Sequence, residues 1–144
     1  MSVLVDDSIT IYEALQYIKD GKYVMPAFQR QYVWSMEQVE KLWDSILLDY
    51  PIATFLFWHV DDDNVTWDTY FCNFLHEATF DSRKQADSLN YELSNINVAL
   101  SDTAILDGQQ RLTSLFLSLF GNAFIRQKHA RKKNGGGIVT KLLI

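Results

Sequence analysis

Two short stretches of this chain carry residue types suited to binding an anion. The first is Asp107-Gly108-Gln109-Gln110-Arg111, which follows the apolar run Thr103 to Leu106. A glycine between a strand and a helix lets backbone N–H groups approach a ligand closely, and the amides and dipole at a helix start attract negative charge. Arg111, on the first turn, adds a planar guanidinium that can grip a phosphate through two parallel bonds. Asp107 could instead cap the helix, with Arg111 paired to a surface acid, and the local pattern leaves both readings open.

The second stretch runs from Pro26 to Trp34 and contains Phe28-Gln29-Arg30-Gln31-Tyr32. It sets donors and a ring able to stack on a turn just ahead of a helix. The competing reading makes Phe28, Tyr32 and Trp34 core aromatics and Arg30 a solvated charge. Magnitudes favour using both stretches together. A hydrogen bond to a charged group contributes roughly 1.5–3 kcal/mol and a helix N-terminus roughly 0.3–1 kcal/mol. Micromolar binding of a nucleotide needs about 8 kcal/mol, so two arginines, several amides and a stacked base are required in one place.

The elements that must position these residues are legible around them. Thr10-Ile11-Tyr12-Glu13 has the form of a capping box and Gly21 is a helix stop, which predicts a helix over 11–20 with Ile11, Ala14, Leu15 and Ile18 inward. Lys22 to Met25 reads as extended ahead of Pro26. Ser35 with Gln38 caps a second helix, with Val39, Leu42, Trp43, Ile46 and Leu47 on its buried face and a Glu37–Lys41 pair on the other. Ile52 to Trp58 reads as a strand covered on both faces. Val65 to Phe71 is expected as a strand and Ser82 to Leu93 as a helix. Thr103 to Leu106, the turn at Asp107-Gly108, and Leu112, Leu115, Phe116, Leu119 and Phe120 predict strand, tight turn, helix. Asn134-Gly135-Gly136-Gly137 reads as a linker, dividing the chain into a domain over 1–133 and a segment, 134–144, that begins a further element of a longer protein.

Together, Pro26-x-Phe28-Gln29-Arg30-x-Tyr32-Val33-Trp34, then Gln38-Val39-x-x-Leu42-Trp43-x-Ser45-Ile46, then Asp107-Gly108-Gln109-Gln110-Arg111-Leu112-Thr113 resemble the GmrSD restriction endonuclease N-terminal domain family. That family is similar to the ParB and sulfiredoxin fold. The resemblance implies an α+β domain, a small mixed sheet with flanking helices, that binds and hydrolyses a nucleoside triphosphate with Mg²⁺ in a modification-dependent restriction system. It implies roles for Gln29, Arg30, Tyr32, Gly108 and Arg111 in binding the nucleotide. Asp107, Gln109 and Gln110 would be catalytic, the glutamines orienting water and Asp107 holding the cation or accepting a proton. The implied partners are DNA, met through the full-length protein, and a nuclease domain or subunit of the His-Asn-His class.

Several chemistries are excluded or weakened by the rest of the sequence. His59, His76 and His129 are far apart and show no metal-ligand spacing, so no metal ligands are assigned and DNA cleavage by this segment is not expected. Asp61-Asp62-Asp63 reads as a solvated run. A single cysteine, Cys72, flanked by Phe71 and Phe74, reads as a core hydrophobe, and its solitude favours a reducing, cytoplasmic compartment. The longest apolar run, 112–125, is interrupted and falls short of the roughly 20 residues a membrane span needs. Net charge is −5, but from Val60 to Asp102 nine acids face two bases, whereas Arg126 to Lys133 carries five bases. Phosphate contacts must therefore be local, because the overall field repels polyanions. The basic cluster is either a solvated helix end or a nucleic-acid contact, which keeps open a DNA-binding module that senses modified DNA without catalysis of its own.

Overall fold

Thr10 opens the first helix, α1 (Ile11–Lys19), with both halves of a capping box: its Oγ1 accepts from the Glu13 amide, and the Glu13 carboxylate accepts from the Thr10 amide at 2.8 Å. The computed structural model describes residues 8–28, 32–59, 71–81, 84–87, 103–126 and 139–141. Gln29, Arg30 and Gln31, the acids at 61–63 and the cluster from 127 to 133 lie outside the described residues. Gly21 ends α1 at φ 74°, and the Gly21 and Lys22 amides donate back to the Ile18 and Tyr17 carbonyls, a left-handed helix stop.

Ser35 and Gln38 form the second capping box and open α2 (Met36–Leu47). This helix ends in the same double back-bond, from the Asp49 amide to Ile46 and from Tyr50 to Ser45, but the left-handed position is Asp49, at φ 60°. Val39 and Leu42 are buried and Trp43 and Ile46 pack against the core, while Leu47, expected inside, is 79% exposed. Leu47 is the last residue of α2, at the end of the helix, and there it meets solvent. Lys41 Nζ meets Glu37 Oε1 at 2.7 Å on the outer face.

The strands divide into two mixed sheets. In the first, β1 (Tyr23–Pro26) runs parallel to β6 (Thr103–Asp107) and antiparallel to β3 (Phe71–Cys72). The edge strand β2 (Leu56–His59) pairs antiparallel with β6. In the second, β4 (Glu77–Asp81) runs parallel to β7 (Asn122–Arg126), with β5 (Lys84–Asp87) and β8 (Val139–Lys141) antiparallel at the edges. Residues 139–141 thus join the second sheet.

The third helix, α3 (Gln109–Leu119), links β6 of one sheet to β7 of the other and is buried on nearly every side from Leu112 to Leu117. Leu112, Leu115 and Phe116 pack with Leu15, Ile18, Met25, Leu42, Cys72 and Ile105; Leu117 packs with Tyr32, Val39, Ala78, Phe80 and Ala123. Each such fully buried side chain contributes roughly 1.5–3 kcal/mol relative to exposure, so α3 is the element around which both cores form. Gly121 lets the chain leave α3 close to the second sheet: a Cβ there would lie 2.8 Å from the His76 carbonyl oxygen, which accepts from the Asn122 amide.

The α+β class is the one expected, with two local differences. The run from Ile52 to Trp58 is a strand only from Leu56 and lies at a sheet edge, with Leu56 54% and Trp58 46% exposed. Its apolar composition reflects packing of Phe55 and Phe57 on one side, not cover on both faces. The expected helix over 82–93 has a strand, β5, at 84–87, where pairing to β4 overrides weak helical spacing. Of the strand expected over 65–71, only Phe71 lies among the described residues, and it belongs to β3.

Candidate functional site

Helix α3 presents a polar row on an otherwise apolar cylinder. Gln110, Ser114 and Ser118 stand four residues apart, one above the other, and each holds a group from residues 32–43. The Val33 amide donates to Gln110 Oε1 at 2.9 Å, the Tyr32 hydroxyl and Ser114 Oγ are 2.8 Å apart, and Trp43 Nε1 donates to Ser118 Oγ at 3.0 Å. Ser114 and Ser118 also donate to the Gln110 and Ser114 carbonyls, so their hydroxyls are doubly used. The two stretches singled out above are therefore joined at Tyr32 and Val33.

Tyr32 is 3% exposed and edge-on to Phe80, with ring centroids 6.3 Å apart. Burial pushes its hydroxyl pKa up to about 12, partly opposed by the bond to Ser114. A phenol so placed anchors the chain at residue 32, and its ring is taken up by the core around Leu117. Phe28 is 82% exposed.

Gly108 is the N-cap of α3 in the left-handed region, φ 88°, and no side chain caps the helix there. Asp107 does not take that role: its carboxylate is largely exposed and 3.9 Å from Arg111 Nη2. Gln109 turns inward, donating from Nε2 to the Ile105 carbonyl at 2.6 Å, and secures the strand-to-helix turn from beneath.

Arg111 is held by four groups. Nη1 donates to the Ile52 carbonyl and Nη2 to the Thr54 carbonyl at 2.7 Å; the guanidinium lies 4.5 Å from the centre of the Phe55 ring; and Asp107 completes the set. Phe55 covers Gly108 as well: a Cβ on that glycine would fall 2.2 Å from Phe55 Cδ1. Glycine is required at 108 both by its φ and by this contact. Of the residues assigned from sequence, Tyr32, Asp107, Gly108, Gln109, Gln110 and Arg111 are gathered around the start of α3. Gln29 and Arg30 lie outside the described residues.

Residues 52–55 and Ser114 were not singled out by the sequence reading. Ser114 had a signal, the four-residue spacing of Gln110, Ser114 and Ser118 in an apolar helix. The carbonyls of Ile52 and Thr54 had none, since any residue supplies a carbonyl and its direction is set by backbone dihedrals.

Among the described residues no group of three or more His, Cys, Asp and Glu side chains could hold a metal ion, and no helix is long and apolar enough to cross a membrane. Asp107 is an exposed carboxylate at the turn, and one carboxylate is a donor set that a Mg²⁺ ion carrying its own waters and phosphate oxygens would accept.

A strand-to-helix turn with a left-handed glycine covered by Phe55, a helix start without a side-chain cap and a first-turn arginine characterise this α+β domain. Residues 11–141 match the model of the GmrSD restriction endonuclease N-terminal domain, and the chain belongs to that family. It is also 30% identical over 118 residues, 82% of its own length, to an uncharacterized protein of Methanocaldococcus jannaschii. The match spans 18% of that relative's length.

Proposed function

We propose that this chain is the nucleotide-binding and nucleotide-hydrolysing regulatory domain of a modification-dependent restriction protein. The observation that carries the reading is the joining of Tyr32 and Val33 to the first turns of α3 through Tyr32–Ser114 and Val33–Gln110, bonds that span 82 and 77 positions. Arg30 lies two positions before Tyr32 in the sequence, and Gly108 and Arg111 stand at that helix start.

On this reading the amides beside Gly108 and the guanidiniums of Arg111 and Arg30 bind phosphate, with Gln29, next to Arg30 in the sequence, contributing as well. Tyr32 acts by holding the turn in register, because its hydroxyl and ring are already engaged in the core. Asp107 holds the Mg²⁺ that accompanies the triphosphate, and the ion neutralises developing charge on the phosphates. Gln109 Nε2 is committed to the β6 backbone and Gln110 Oε1 to the Val33 amide; we assign the attacking water to Gln110, the less buried of the two. DNA and a nuclease of the His-Asn-His class are met through the rest of the protein.

Binding of labelled NTP with Mg²⁺, followed by phosphate release, tests this reading. Arg30→Ala and Arg111→Lys should each abolish or strongly weaken binding, the second because a lysine keeps the charge but loses the planar fork. Unchanged affinity in both folded variants rejects the site.

A further inference from the structure

The segment between α2 and β2 stands where an anion would have to come. The Ile52 and Thr54 carbonyls receive the two terminal nitrogens of Arg111, the edge a phosphate would use, and Phe55 lies against Gly108, over the backbone a phosphate would approach. Two residues of this connection, Asp49 at φ 60° and Ala53 at φ 70°, are non-glycine residues in the left-handed region. Asp49 completes a helix stop, which accounts for it. Ala53 has no such role, is exposed, and sits between the two carbonyls that hold Arg111. Its strain turns both carbonyls toward one guanidinium.

We propose that residues 52–55 are a strap that closes the anion site, with the Ile52 and Thr54 carbonyls standing in for phosphate oxygens on Arg111, and that the strap must open before a nucleotide binds. The inference rests on the reading of this site as nucleotide-binding, and it names how that site is regulated. Carbonyl oxygens are neutral whereas phosphate oxygens carry negative charge, so a phosphate adds ion-pair attraction and bidentate geometry on the same nitrogens and can displace the strap. Opening also releases the left-handed backbone at Ala53. The ends of the strap are fixed independently, by the helix stop at Asp49 and by the pairing of Phe57, Trp58 and His59 with β6. The register shift between Leu56 and Phe57 sets the limit of the moving part. Because closed molecules do not bind, apparent affinity falls with the closed fraction.

Ala53 gives a pair of substitutions with opposite effects at an exposed position away from the cores. Ala53→Gly adopts φ 70° without strain and tightens the strap, whereas Ala53→Pro, held near φ −65°, cannot close it. The readout is the rate at which phenylglyoxal modifies Arg111, mapped by mass spectrometry with the other arginines as internal controls, alongside the Kd for ATP with Mg²⁺ in the same samples. Relative to wild type, Ala53→Gly should slow modification of Arg111 and raise the Kd, by about fivefold or more given the usual penalty for a left-handed L-residue. Ala53→Pro should speed modification and lower the Kd. Equal Arg111 reactivity in all three proteins overturns the strap, whether or not ATP binds. Graded Arg111 reactivity with no ATP binding in any of them supports the strap and rejects the nucleotide reading.

Discussion

The Tyr32 hydroxyl lies 2.8 Å from Ser114 Oγ in a fully buried contact between residues 82 positions apart. This bond brings Tyr32 onto the helix that starts at Gly108. Ser114 in turn donates to the Gln110 carbonyl at 2.7 Å, so the contact is wired into the first turn of α3.

Removing either partner should therefore weaken the fold modestly and the two together less than additively. Tyr32→Phe and Ser114→Ala are each expected to lower stability by about 0.5–1.5 kcal/mol, the usual net value of an internal hydrogen bond. Urea unfolding of both single variants and the double variant measures the coupling. Strictly additive losses would mean the bond contributes nothing.

Alkaline pH should erode stability through two buried acids. Burial raises the Tyr32 hydroxyl to about 12 and the Cys72 thiol to about 11, above their ordinary values of 10.0 and 9.0. A pKa raised by folding means the native state holds its proton longer than the unfolded state. The stabilisation is complete below about pH 9 and is lost as pH rises from there through 12. Tyr32→Phe should flatten the upper part of this fall, between pH 10 and 12, in denaturation curves recorded at stepped pH; an unaltered profile would remove Tyr32 as its cause.

Two glycines share a left-handed backbone but differ in their surroundings, which makes them a matched test. Gly21 at φ 74° has nothing within 4 Å of a new Cβ, whereas at Gly108 the Cβ would meet Phe55 at 2.2 Å. Gly21→Ala should destabilise by about 1–2 kcal/mol from the backbone alone. Gly108→Ala should lose clearly more and displace Phe55 from Arg111. Thermal unfolding compares the two, and equal losses would contradict the close packing of Phe55.

Much of this was legible in the sequence, for reasons specific to particular residues. Thr10–Glu13 and Ser35–Gln38 marked two helix starts because a capping box is local chemistry, readable from four residues. Asp107-Gly108 between an apolar run and a helical period marked the turn because glycine alone tolerates that backbone cheaply. The run from Ile52 to Phe55 misled because an apolar string looks alike whether it pairs as a strand or folds over a neighbour. What decides it here is Ala53 turning left-handed to serve Arg111, 57 to 59 positions downstream. At Lys84–Asp87 a strand formed through pairing with β4, a long-range term that no local window contains. Ser114 was passed over because a serine on a buried helix declares its partner only once Tyr32 is seen to reach it.

The proposed function requires the start of α3 and the Gln29–Tyr32 stretch of the sequence to bind one nucleotide between them. Calorimetry of the folded protein with ATP, GTP, CTP and UTP in the presence of Mg²⁺, repeated for Arg30→Ala, addresses it directly. The account predicts binding of at least one triphosphate in the micromolar range, with the heat lost in Arg30→Ala while that variant unfolds at the wild-type midpoint. Absence of heat with all four nucleotides, or undiminished binding by Arg30→Ala, would contradict it.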